Sequence, residues 1–287
     1  IPLRLVGSEM CIRDSAYEAA STRYTDVPFQ RAGASGIQLP KVSLGLWQNF
    51  GRDRSFDSQR EIVLHAFDRG VVHIDLANNY GPPYGSAEST FGAVLDSGLG
   101  RYRDELFVTT KAGYDMWPGP FGDGGSRKYL TRSLEQSLQR MNTDYVDVFY
   151  SHRPDSETPL EETVTALVDI VRSGKALYVG ISNYPADLAR QAYELLADQG
   201  MKLLLHQPRY SLFDRTPEAE LFPALRGLKV GSAVFSPLAQ GLLTGKYIDG
   251  DVPADSRAAN SHFLDGSALT DSYLERIRGI DRVAKEA

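Results

Sequence analysis

The strongest constraint on the fold is a placement repeated along the chain: short apolar runs end, one after another, in polar residues. His73-Ile74-Asp75-Leu76-Ala77-Asn78-Asn79-Tyr80-Gly81 closes the first, and Leu106-Phe107-Val108-Thr109-Thr110-Lys111 the next. Val146-Asp147-Val148-Phe149-Tyr150-Ser151-His152, Ala176-Leu177-Tyr178-Val179-Gly180-Ile181-Ser182-Asn183 and Leu203-Leu204-Leu205-His206-Gln207 follow. Strands buried on both faces of a parallel sheet read as such runs, and in a (β/α)8 barrel the C-terminal strand ends gather the chemistry on one face. The pattern therefore predicts an α/β TIM barrel in which Asp75, Tyr80, Lys111, His152, Ser182, Asn183 and Gln207 converge.

Between these runs lie helical periodicities. Leu130, Leu134, Leu138 and Met141 predict a helix over Arg127 to Met141, and Pro159-Leu160-Glu161-Glu162 places proline and carboxylates at the start of another. Helices are also expected over Glu61 to Arg69, over Ser86 to Leu95, after Asn183-Tyr184-Pro185, and over Ser272 to Lys285. Seven barrel strands are expected, from Val42–Leu46 through Val71–Leu76, Leu106–Lys111, Val146–Tyr150, Ala176–Ile181 and Leu203–His206 to Val230–Phe235. The Gly-rich stretch from Phe29 to Leu39 reads as an N-terminal hairpin. Met116 to Gly125 is a long Gly/Pro-rich loop, a lid, a substrate wall or a plain surface loop.

A length of 287 residues suits one such barrel, which takes about 250. A net charge of −6 offers no basic footprint for nucleic acid or anionic membrane, and the longest apolar runs are strand-sized, too short to span a bilayer. The one cysteine, Cys11, excludes an intramolecular disulfide framework and makes a cytoplasmic setting the default expectation. Residues 1–15 have neither a signal-peptide layout nor a helical face, and read as a foreign leader ahead of a barrel spanning 16–287.

Asp75, Tyr80, Lys111 and His152 form a working set for protonating a carbonyl. A tyrosine titrates near ~10 and is a poor proton donor at neutrality. An ammonium beside it lowers that value, Lys111 can supply one, and Asp75 can hold the lysine charged. His152 can hydrogen-bond a substrate oxygen. His73, His152 and His206 invite a metal reading, but no carboxylate cluster at ligand spacing accompanies them. No GxGxxG follows a first strand, so a Rossmann domain is not supported.

The motifs DLANNYG, TTKAGYDMWPGP, SHRPD, GKALYVGISNY, HQPRYSL and FSPLAQGLLTGKY together resemble the aldo-keto reductase family from about Tyr24 onward. The likeness is above all to the bacterial branch that reduces glyceraldehyde 3-phosphate and methylglyoxal, a branch similar to the β subunits of voltage-gated potassium channels. The resemblance implies NADPH as hydride donor, Tyr80 as general acid assisted by Lys111 and Asp75, and His152 orienting the carbonyl. It implies that Ser182, Asn183 and Gln207 bind the nicotinamide carboxamide, that Phe235 stacks on the nicotinamide, and that Trp47 lies beside it and the substrate. Ser236, Pro237, Leu238, Gln240 and Gly241 would cover the pyrophosphate, with Lys246 and Arg257 as cationic phosphate contacts. Trp47 and Phe235 as core aromatics, and Lys246 and Arg257 as a solvated basic face, remain open alternatives.

The resemblance further implies a small-molecule carbonyl substrate and a homo-oligomer, while charge and run length give no expectation of a nucleic-acid or membrane partner. Arg127 and Lys128 could meet a triose phosphate or form a surface pair. The family closes its barrel with an eighth strand and a following segment that holds the adenosine 2′-phosphate. No counterpart is found here, so the expectation is a barrel lacking strand eight and that segment, with a weakened hold on the cofactor. A cofactor-binding regulatory subunit like the channel β subunits is the alternative. Those subunits carry an asparagine where this chain has His152, so the histidine favours catalysis.

Overall fold

The computed structural model describes residues 17–254, 256–260, 264 and 269–286; the expected leader at 1–15 lies outside the described residues. Two short strands, β1 (Phe29–Arg31) and β2 (Gln38–Pro40), pair antiparallel as the expected hairpin. Strand and helix then alternate: β3 (Leu44–Gly45), α1 (Phe56–Asp68), β4 (His73–Asp75), α2 (Ser86–Asp96), β5 (Phe107–Ala112), α3 (Arg127–Met141), β6 (Val146–Ser151), α4 (Leu160–Arg172), β7 (Ala176–Ser182), α5 (Ala186–Asp198), β8 (Leu203–Gln207), α6 (Leu221–Leu228) and β9 (Gly231–Ser232). The short α7 (Arg257–Asn260) and the longer α8 (Asp271–Glu286) end the described chain. Strands β3 to β9 form one parallel sheet in sequence order.

The sheet is curled. Strands β4 and β8 are four positions apart, about 19 Å along a flat sheet. Yet the Gln207 amide Nε2 at the end of β8 donates to Asp75 Oδ1 at the end of β4 across 2.9 Å. Only a barrel-like sheet brings those two ends together. Its interior holds Phe107, Val148, Tyr150, Leu204 and Leu205, closed off by Ala32 and Leu39 of the hairpin. Gly33, with φ of 53°, lets the hairpin turn lie against the chain leading into β9: a Cβ there would meet the Lys229 carbonyl oxygen at 2.1 Å. A larger apolar layer lies between the strands and the surrounding helices, where Leu130, Leu134, Leu138 and Met141 of α3 are all buried.

The seven expected barrel strands are the seven strands of this sheet, but the two rims are shorter than the sequence suggests. Among the described residues Leu44–Gly45 and Gly231–Ser232 each pair with one strand, so ladder bonds form only where that neighbour is in register. Among the described residues no eighth strand joins β9 to β3. Helix α6 has no counterpart in the sequence reading, because Pro223 and Gly227 interrupt its short periodicity. Helix α1 begins earlier than expected because Ser55 caps it, its hydroxyl accepting from the Ser58 N–H at 3.3 Å. No described helix is long and apolar enough to cross a membrane.

Interior packing yields two expectations. Gly180 of β7 sits in register with Tyr150 of β6, and a Cβ at 180 would lie 2.3 Å from the Tyr150 ring. Gly180→Ala is therefore expected to lower the unfolding free energy by about 1–3 kcal/mol in urea titrations; an unchanged midpoint would mean the ring moves freely. Three imidazoles are also buried, and burial pushes His73 down to about 4, His152 to about 3 and His206 to about 4. Their ordinary value is ~6.5, so the unfolded chain takes up these protons while the native state does not. Stability is fully present above that value and is lost as pH falls toward the depressed folded values. Urea midpoints should fall between about pH 7 and about pH 5; a constant midpoint would contradict the neutral buried rings.

Candidate active site

Asp75 ends β4, Lys111 lies in β5, and the parallel pairing of those strands sets Asp75 opposite Thr109. Residues two apart on a strand share a face, so Thr109 and Lys111 both point toward Asp75. The Lys111 ammonium is fully buried and donates to Asp75 Oδ2 at 2.7 Å, to the Leu76 carbonyl at 2.6 Å and to the Tyr80 hydroxyl at 3.3 Å. Asp75 Oδ1 accepts from the Thr109 hydroxyl at 2.8 Å and from Gln207. Tyr80 is set by its backbone: its N–H donates to the Ala77 carbonyl, and its carbonyl accepts from the Ala87 N–H in the first turn of α2.

The electrostatics follow from these contacts. Burial works against charge on both partners, yet the Lys111 ammonium holds Asp75 below its ordinary value, and Asp75 with Tyr80 holds Lys111 above its own. The pair is ionised. Tyr80 departs from the sequence expectation. Burial raises it more than Lys111 lowers it, and the net direction is upward. Its hydroxyl therefore keeps its proton through neutrality, and the Lys111 charge acts on the phenolate once the proton leaves. His152, just beyond β6, is held neutral by burial and then by Lys111. Its ring stands edge-on to Tyr80 at 6.1 Å, and its Nδ1 has no hydrogen-bond partner.

Ser182, Asn183 and Gln207 are woven into the neighbouring strand ends. The Ser182 hydroxyl donates to the Gln207 carbonyl at 2.7 Å. Asn183, left-handed with φ of 62°, donates its side-chain N–H groups to the His152 carbonyl at 3.0 Å and to Ser182 Oγ at 3.1 Å. These donors are used internally, which leaves amide oxygens as acceptors that suit the N–H groups of a carboxamide.

A cleft of about 1860 Å³ opens between the rims of the sheet. Trp47, Asp75, Tyr80, Gln207, Phe235, Ser236, Pro237, Leu238, Gln240, Gly241, Lys246 and Arg257 all line it, whereas Lys111, His152, Ser182 and Asn183 lie off its wall. The Trp47 and Tyr80 rings are 6.5 Å apart, and the Arg257 guanidinium lies 5.9 Å from the Trp47 ring while donating to Gln240 Oε1 at 2.6 Å. Ser236, Ala239 and Gln240 are left-handed, winding the loop after β9 into the cleft wall. Flanking aromatics, an amide acceptor and two cations along this wall suit a nicotinamide cofactor.

The loop over Met116 to Gly125 is pinned by side-chain contacts and does not line the cleft. Arg153 donates to both carboxylate oxygens of Asp123, at 2.9 and 3.0 Å, and to the Gly113 carbonyl at 2.7 Å. It also lies 5.0 Å over the Tyr114 ring, which stands edge-on to His152 at 4.7 Å. The Tyr129 hydroxyl donates to the Tyr114 carbonyl. Sequence reasoning missed Tyr114, Arg153 and Thr109; strand periodicity from Lys111 could have found Thr109, while no periodicity marks the other two. Arg127 pairs with Asp169 at 2.6 Å and Lys128 lies 3.8 Å over the Phe121 ring, so neither lines the cleft. His73 meets Ser43 and His206 meets the Tyr184 carbonyl; among the described residues no three His, Cys, Asp or Glu side chains gather at metal-ligand spacing.

Comparison with known proteins agrees with this geometry. The chain is 51% identical over 269 residues to L-glyceraldehyde 3-phosphate reductase of Escherichia coli (strain K12), covering 92% of this chain and 78% of that protein. It is 35% identical over 264 residues to a probable voltage-gated potassium channel subunit beta of Oryza sativa subsp. japonica, covering 90% and 79%. An Arabidopsis thaliana protein of the same description is 35% identical over 266 residues, with the same coverage. The profile of the Aldo/keto reductase family matches residues 41–287, and the chain belongs to that family.

Proposed function

We propose that this chain is an NADPH-dependent reductase of small aldehydes and keto-aldehydes, such as glyceraldehyde 3-phosphate or methylglyoxal. The observation that carries the proposal is the buried Lys111 ammonium placed between the Asp75 carboxylate and the Tyr80 hydroxyl. The glyceraldehyde 3-phosphate reductase among the relatives supports the triose substrate.

NADPH, when bound, supplies a hydride from its nicotinamide C4. Trp47 and Phe235 would flank the nicotinamide, with Asn183 and Gln207 oxygens and Ser182 at its carboxamide. The loop of Ser236, Pro237, Leu238, Gln240 and Gly241, with Lys246 and Arg257, would hold the phosphates. As the carbonyl carbon takes the hydride, its oxygen takes the Tyr80 proton, giving the alcohol and a phenolate. Lys111 stabilises that phenolate more than it stabilises neutral tyrosine, so the contact favours the transition state. A neutral His152 donates a hydrogen bond to the same oxygen, orienting it without competing for the proton.

The test is NADPH oxidation with methylglyoxal and with glyceraldehyde 3-phosphate. Tyr80→Phe should lower kcat by about 10²–10⁴-fold while cofactor binding, followed by fluorescence, persists. Lys111→Met should fall at least as far. Turnover retained in Tyr80→Phe would remove Tyr80 as the acid. Bound NADPH without turnover in the native chain would shift the weight to a regulatory, cofactor-binding role.

A further inference from the structure

The two oxygens of the Asp75 carboxylate have different partners. Oδ2 faces the Lys111 ammonium, and Oδ1 takes two neutral donors, Thr109 and Gln207. Gln207 lines the cleft and, in the reading above, also faces the cofactor. Thr109 is fully buried and off the cleft wall, so Asp75 is the charged group its hydroxyl serves.

The Thr109 hydroxyl has one proton and three acceptors in range. Asp75 Oδ1 is at 2.8 Å, whereas the Ile74 carbonyl and His73 Nε2 are each at 3.5 Å. The short contact to a charged oxygen takes the proton. His73 is fixed from its other side by the Ser43 hydroxyl, 2.7 Å from Nδ1. In the tautomer in which that nitrogen accepts, the Nε2 proton faces the Thr109 oxygen.

We propose that Thr109 is a positioning residue for the reduction: it locks the rotation of the Asp75 carboxylate so that Oδ2 meets Lys111, and through Lys111 it aims the ammonium at the Tyr80 oxygen. The inference rests on Tyr80 being the acid. Without the Thr109 hydroxyl, Oδ1 keeps only Gln207, a side chain at the cofactor surface. The carboxylate then turns, and Lys111 retains the Leu76 carbonyl as its fixed partner. Its 3.3 Å approach to Tyr80 is the longest of its three contacts and loosens first. The titratable groups facing Asp75 are Lys111 on β5, His73 on β4 itself, Tyr80 beyond β4, and Tyr150 and His152 from β6. Of these only Lys111 carries charge through neutrality.

The experiment compares Thr109→Val, Thr109→Ser, Thr109→Ala and Tyr80→Phe in the full chain, with NADPH and methylglyoxal. Thr109→Val keeps the shape and deletes the hydroxyl. It should lower kcat about ten- to a hundredfold, the range for a hydrogen bond to a charged group. The KM for NADPH should stay within about twofold, and the acid limb of kcat should move up by about one pH unit, because a carboxylate that loses a donor protonates more readily. Thr109→Ser should restore both to near native values. The Ser and Ala variants differ by the hydroxyl alone, so they carry the same comparison if the valine variant does not fold. A native kcat and acid limb in Thr109→Val, or equal activity in the Ser and Ala variants, overturns the assignment while an inactive Tyr80→Phe leaves the acid in place. An active Tyr80→Phe overturns both.

Discussion

The site depends on one buried ion pair. Lys111 has no exposed surface, and an ammonium in that position is untenable unless a carboxylate and further acceptors surround it. Asp75 supplies the charge and the Leu76 carbonyl a second acceptor, both from β4 and the residue after it. The pairing of β4 with β5 is therefore an electrostatic requirement as much as a backbone one. A slip of one residue would turn Lys111 to the other face of the sheet and leave Asp75 buried without a counter-ion. Gln207 extends the same dependence across the interior, because it reaches Asp75 only while the sheet is curled. The pair thus couples the shape of the barrel to the charge state of its mouth.

Much of this arrangement was legible in the sequence, for a physical reason. Parallel strands buried on both faces must be apolar throughout, so a polar residue at a strand end stands out against its own run. Asp75, Lys111, Gln207 and Ser182 are all visible in that way. Rim strands β3 and β9 are shorter than their apolar runs, since a ladder forms only where the described neighbour is in register, which leaves no mark on composition. The upward shift of Tyr80 is not legible in the sequence either. Sequence shows that an ammonium is near, but the competing cost of burial belongs to the three-dimensional surroundings. Tyr114 and Arg153 lie outside the regular elements, and their roles arise from the Arg153 contacts with Asp123 and the Gly113 carbonyl, which no spacing rule encodes.

Backbone conformation separates structural from site positions in another way. Among the described non-glycine residues, seven have positive φ. Asn142 and Lys229 cap the C-termini of α3 and α6, where a left-handed residue is an ordinary way to end a helix. The other five, Asn49, Asn183, Ser236, Ala239 and Gln240, cap no long helix and sit beside the strand C-termini. Left-handed serine, alanine and glutamine each carry a local cost that surrounding contacts must offset. Here Gln240 is held by Arg257, and Asn183 by the His152 carbonyl and Ser182. The regular sheet fixes the charged centre, and the unfavourable backbone is confined to the loops that shape the cleft around it.

That division explains why the reaction is easier to read than its substrate. The Asp75, Lys111 and Tyr80 cluster comes from β4 and β5 and the turn after β4, and is fixed by strand register and a buried charge. Tyr114 and the loop after it come from irregular chain held by side-chain contacts. The cations first in view for a phosphate, Arg127 and Lys128, are committed to Asp169 and Phe121.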